Sequence, residues 1–145
     1  MNSSDLYTCK SGGRIWEKRI SDMDEKFRKQ MEENGADVNT TLKRFMGNEA
    51  LYMKFIVKFL DDKNFDGIVD SLAQGNYEGA FNSAHTLKGV AANLGLDPVS
   101  AGASKITELL RNKAPEDVDV EKVNECRDEL EKAYNLFKKV IGENR

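Results

Sequence analysis

Proline is scarce in this chain, with 2 residues in 145. Few helix breakers, and no stretch that alternates at period two for long enough to make a strand, lead to the expectation of a helical protein. Cysteine is equally scarce. Cys9 lies in a polar tail and Cys126 on the apolar side of an expected helix, which argues against a disulfide framework and suits a reducing cytoplasm. No segment approaches the roughly 18 consecutive apolar residues of a membrane span. The opening MNSSDLYTCK lacks the apolar run of a secretory signal. There is no basic excess either: the net charge is −3 and the pI about 5.3, which removes the electrostatic footprint of a nucleic-acid binder. Histidine is rarer still, with His85 alone. Metal binding would need further ligands at suitable spacing, and no second histidine or nearby cysteine supplies them. A Ser-His-Asp or Cys-His nucleophile pair lacks any local motif.

What is present is an amphipathic helical pattern, with 39% hydrophobic and 32% charged residues. Residues 1–13 are polar and end in Ser-Gly-Gly, and read as a disordered leader. Trp16, Ile20, Met23, Phe27 and Met31 then recur at spacings of four and three, one helix ending near Asn34-Gly35 and laid on the main bundle. A short helix follows with Val38, Leu42, Phe45 and Met46 apolar. The next spans about 49–61, behind Asn48 as cap, with Tyr52, Phe55, Ile56, Phe59 and Leu60 buried. After a short piece carrying Phe65, Ile68, Val69 and Leu72, Asn76 caps a helix running to about residue 93, which Gly95 breaks. Asp97 and Pro98 supply an N-cap and a first-turn proline for a helix to about residue 112. A last helix covers about 119–141 with Val120, Val123, Leu130, Tyr134, Phe137 and Ile141 apolar. The expected fold is all-α: an antiparallel up-down-up-down four-helix bundle with additional N-terminal helices. Residues 1–36 form the leader and helical extension, and 37–145 the bundle.

The most informative stretch is 80–96, AFNSAHTLKGVAANLGL. Tyr77, Ala80, Ala84, Leu87, Ala91 and Leu94 form its buried stripe, and His85 falls on the flank, one edge against the core and one in water. Lys88 and Gly89 follow on the same face, three and four residues on. Counting outward from the turn near residue 96 puts Thr107 opposite His85, with Ser100 and Arg111 on the same side. The expected surroundings are hydroxyl and cationic, with Glu108 pointing elsewhere. Such a site suits an imidazole that attacks phosphorus, because a phosphoryl group wants an amine or guanidinium beside it.

His85-Thr86-Leu87-Lys88-Gly89, followed by Leu94-Gly95-Leu96 and preceded by Gly75-Asn76-Tyr77-Glu78-Gly79-Ala80, resembles the histidine-containing phosphotransfer (HPt) domain of two-component phosphorelays. The resemblance runs from about Val38 to the C-terminus. It implies a phosphoryl carrier, not an enzyme, with no ATP-binding or receiver module of its own. His85 would accept a phosphoryl group from one receiver-domain aspartate and pass it to another. Lys88 would stabilise the phosphate and Gly89 would leave room for the receiver. Thr107 stands where family members often carry Gln or Glu, and Arg111 is a second neighbouring candidate. The implied partners are response-regulator receiver domains and a hybrid histidine kinase, in the cytoplasm, with neither nucleic acid nor membrane. No cofactor of its own is implied; Mg²⁺ is expected on the partner receiver. The alternative is a non-catalytic helical protein-protein interaction module. One competing motif, Asp62-Lys-Asn64-Phe-Asp66-Gly67-Ile68-Val69-Asp70, matches the opening of an EF-hand loop, but Ala73 replaces the bidentate glutamate at its end. That loop is read as a structural turn.

Overall fold

The computed structural model describes residues 24–144. The polar leader, Cys9, Trp16, Ile20 and Met23 lie outside the described residues. The first described helix, α1 (Glu25–Glu33), starts where the Asp24 side chain accepts a hydrogen bond from the Lys26 amide at 2.7 Å. Asp24 itself has extended backbone angles, so the stripe drawn from Trp16 to Met31 is not one continuous helix. Its last two members, Phe27 and Met31, are fully buried in the common core.

Several of the following helices begin at a side chain that takes up one of the free amides of a helix start. Asp37 accepts from Thr40 at 3.1 Å and opens α2 (Val38–Arg44). Asn48 accepts from Leu51 at 3.0 Å and opens α3 (Glu49–Lys58), which runs on through a 3-10 turn, Phe59–Asp61. Asn76 accepts from Gly79 at 2.9 Å and opens α5 (Tyr77–Leu94). Gly95, at φ +74°, ends α5 in the left-handed conformation that glycine adopts at low cost. Helix α6 (Asp97–Leu110) carries Pro98 in its first turn, with Leu96 rather than Asp97 at the cap position. It stops two residues short of expectation because Arg111 is extended and Asn112 has φ +54°. Helix α7 (Val120–Asn144) is the longest.

Consecutive long helices run antiparallel, as three contacts across their turns show. Ser100 Oγ donates to the Lys88 carbonyl at 3.1 Å between α5 and α6. Gly102 lies so close to α7 that a Cβ there would meet Leu130 Cδ1 at 3.1 Å. The piece after residue 62, α4 (Asn64–Ala73), is a full packing partner of α5, with Gly67 against Ser83. The buried faces match the apolar spacing: Ala80, Ala84, Leu87, Ala91 and Leu94 from α5, and Val123, Leu130, Tyr134, Phe137 and Ile141 from α7. At the other end of α5, the Arg44 guanidinium donates to the Ala92 carbonyl at 2.8 Å, placing a cation where the helix dipole favours one.

The EF-hand-like segment is used as a joint. Asp62 accepts from the Asn64 amide at 3.0 Å and from the Tyr134 hydroxyl at 2.9 Å. Lys138 Nζ donates to the Asp62 carbonyl at 3.2 Å and lies over the Tyr134 ring. The chain is helical from Asn64 onward, so the side chains of the motif spread around a helix instead of converging. Among the described residues no helix is long and apolar enough to cross a membrane.

Candidate functional site

Helix α5 holds His85 at its middle with the side chain exposed, between buried Ala84 and Leu87. The rotation set by that buried stripe gives the imidazole one face toward the protein surface and one toward water. One turn earlier on the same helix, half-buried Phe81 lies parallel to it, with ring centroids 6.1 Å apart and planes 3° apart. Arg111, just past the end of α6, sets its guanidinium carbon 5.3 Å from the centre of the Phe81 ring. Phe81 therefore bridges the cation and the imidazole. Its position four residues before His85 was the signal that sequence spacing offered and that the reading left unused.

Arg111 is itself held. Its Nε and Nη2 donate to Glu108 Oε2 at 3.2 and 3.0 Å. The hydrogen bond from Arg111 holds the Glu108 carboxyl below its ordinary range, against desolvation, and the charges of Arg111 and Lys88 act in the same direction. The expectation that Glu108 points away from this region is thus corrected: a carboxylate sits among its cations. Thr107 is corrected in the opposite sense. It is fully buried, and its hydroxyl donates to the Ala103 carbonyl at 2.9 Å. Helix α6 buries Val99, Ala103, Ile106, Thr107 and Leu110, so Thr107 belongs to its core stripe, not to the flank where the apolar spacing put it.

Lys88 is half-buried and projects from the His85 face of α5. Among the described residues its ammonium enters no ion pair. Gly89 is exposed, and a Cβ built there would meet nothing within 4 Å. Two clefts flank this stretch of α5, each about 300 Å³. One, toward the helix start, is lined by Tyr77, Glu78, Phe81, Leu110, Asn112 and Lys113. The other, toward its end, lies between α3 and α5, with Phe55, Phe59, Val90 and Leu94 among its walls. The arrangement presents an exposed imidazole on a helix, with lysine and arginine on the same side of the bundle.

The model of the family described as Hpt domain matches residues 22–135. The chain belongs to the Hpt domain family. No curated protein and no solved structure matches it. The Hpt match includes α1 and starts ahead of Val38, where the sequence resemblance was read as beginning. As an Hpt domain the chain has a phosphotransfer-family role in two-component signalling. Hpt domains are phosphocarriers without a catalytic module of their own, and they interact with receiver domains and kinases in phosphorelays.

Proposed function

We propose that this Hpt domain carries a phosphoryl group on His85 between two receiver-domain aspartates, taking it from a hybrid histidine kinase and delivering it to a response regulator in the cytoplasm. The observation that carries this reading is the exposed imidazole on α5 with Lys88 beside it and open space over Gly89. A nitrogen lone pair of His85 attacks the phosphorus of an aspartyl phosphate. The new N–P bond forms as the P–O bond to the aspartate breaks, its electrons return to the carboxylate, and the imidazolium so formed releases its remaining N–H proton to water. Delivery reverses these steps on a second aspartate. The transferring group passes through a loose transition state, so the work of the protein is positioning and charge. Lys88 supplies a cation one turn along α5, Arg111 supplies one that is paired with Glu108, and Mg²⁺ on the partner receiver would offset the charge of the aspartyl side.

Glycine inside a helix costs about 1 kcal/mol relative to alanine, and no neighbour of Gly89 requires its small size. Access for a docking receiver accounts for it. The test is exposure of the protein and its His85→Gln variant to a phosphorylated receiver domain. Acid-labile phosphate should appear on the wild type and not on the variant, with melting temperatures that differ little, because an exposed side chain is exchanged. Label on the variant at the wild-type rate would overturn His85 as acceptor. A wild type that binds the receiver but never takes label would favour an interaction module instead.

A further inference from the structure

The phosphate-binding reading leaves Glu108 without a part. It lies in the last turn of α6, a turn that carries no basic residue, where the helix dipole disfavours a carboxylate. It nevertheless takes both Nε and Nη2 of Arg111, the guanidinium stacked on the ring that stacks on His85. Both partners are exposed, with side-chain accessibilities of 43% for Arg111 and 59% for Glu108. An ion pair so open to water is weak and exchangeable. A guanidinium prefers the oxygens of a phosphoryl group where it can reach them, and a phosphoryl group brings about −1.5 to −2 charges. The other charged groups around this end of the bundle are Lys88 and Glu78 on α5 and Lys113 after α6.

We propose that Glu108 is a resident counter-ion for Arg111 that competes with phosphate: it occupies the guanidinium while His85 is free and yields it when phosphohistidine forms. Glu108 thereby weakens the hold of the site on its phosphoryl group and keeps that group transferable. The proposal rests on His85 being the acceptor and adds a residue that sets how tightly the phosphoryl group is held. A purely structural Glu108, which fixed Arg111 in place for the phosphate, would act with the opposite sign.

The experiment phosphorylates the full chain with phosphoramidate, a small donor that needs no docking, and follows the phosphorus resonance of phosphohistidine through a pH titration. In Glu108→Gln, Arg111 is released to the phosphoryl oxygens and the dianion is favoured. The titration midpoint should move to lower pH, with proton affinity falling roughly two- to fivefold, the range that exposed ion pairs span. In an Arg111→Ala background the same substitution should move the midpoint less than half as far. An unchanged or raised midpoint in Glu108→Gln, or an equal shift in both backgrounds, would overturn the proposal while leaving His85 as acceptor. No phosphohistidine at His85 in the wild type would overturn the acceptor reading itself, and this proposal with it.

Discussion

Gly89→Gln separates folding from transfer. The position is helical and exposed, and a Cβ there meets nothing within 4 Å, so the new side chain displaces no neighbour. Replacing a helix-interior glycine by a good helix former recovers most of about 1 kcal/mol. For a domain of this size that raises the melting temperature by roughly 2–4 °C. The same side chain stands one turn from His85, about 5–6 Å away between Cβ positions, on the side from which a receiver must bring its aspartate. Reacting atoms need to come within about 3–3.5 Å, and a misplacement of about 1 Å can slow a reaction about a hundredfold. Transfer from a phosphorylated receiver should therefore fall by at least about tenfold, while labelling by phosphoramidate stays close to wild type. The assays are a circular-dichroism melt and two time courses of histidine phosphorylation, one with each donor. A lower melting temperature would refute the packing argument. Unimpaired transfer from the receiver would refute the docking argument, because the receiver would then approach over another face.

Lys88→Ala should melt close to wild type and yet transfer more slowly or hold phosphohistidine for less time, since the phosphoryl group loses a cation one turn away on the same helix face; equal rates and lifetimes would remove Lys88 from the mechanism. Tyr134→Phe should destabilise the fold by about 1–2 kcal/mol in urea unfolding, because its hydroxyl donates to the Asp62 carboxylate from a buried ring; an unchanged midpoint would mean that Asn64 and Lys138 hold Asp62 without it. Burial pushes the Tyr52 phenol up to about 12, above its ordinary 10.0. A raised tyrosine pKa stabilises the fold fully below 10 and loses that contribution as pH rises from 10 toward 12. Tyr52→Phe should therefore lose less stability than wild type across that window in pH-dependent melts, and parallel losses would contradict it.

The helical class and most boundaries were legible because the apolar spacing and the caps agree, as at Asn48, Asn76 and Gly95. Proline scarcity told the same story. The core face of α5 could be read residue by residue, since one helix obeys one period. What could not be read was the rotation of one helix against its neighbour. Thr107 was placed opposite His85 by counting from the turn, but a count along the chain does not say which face looks inward, and α6 turns Ala103 and Thr107 together into the core. The Glu108–Arg111 pair was hidden for a related reason: Arg111 leaves the helix in extended conformation, so helical spacing no longer says where its guanidinium goes. Asp24 is the remaining case. Its extended backbone breaks a hydrophobic rhythm that continues on both sides of it, and rhythm alone carries no sign of a cap.

The turn at Gly95 acts as a surveyor's datum for the chemistry. A Cβ there would collide with Thr41 Oγ1 and the Asp37 carbonyl, and the Gly95 carbonyl accepts from the Asp37 amide at 2.8 Å. The turn between α5 and α6 is thus pinned to the start of α2, and every functional group is located by its distance along a rigid rod from that pin. His85 stands ten residues back, about 15 Å at 1.5 Å per residue, and Glu108 thirteen residues on, about 20 Å. One residue inserted between His85 and Gly95 would swing the imidazole and Phe81 together by about 100° and lift them by about 1.5 Å, out of line with Arg111 on α6. The same insertion in the exposed stretch after Asn112 would leave all three where they are. Length variation is therefore expected to be tolerated at one end of the α5–α6 hairpin and forbidden at the other.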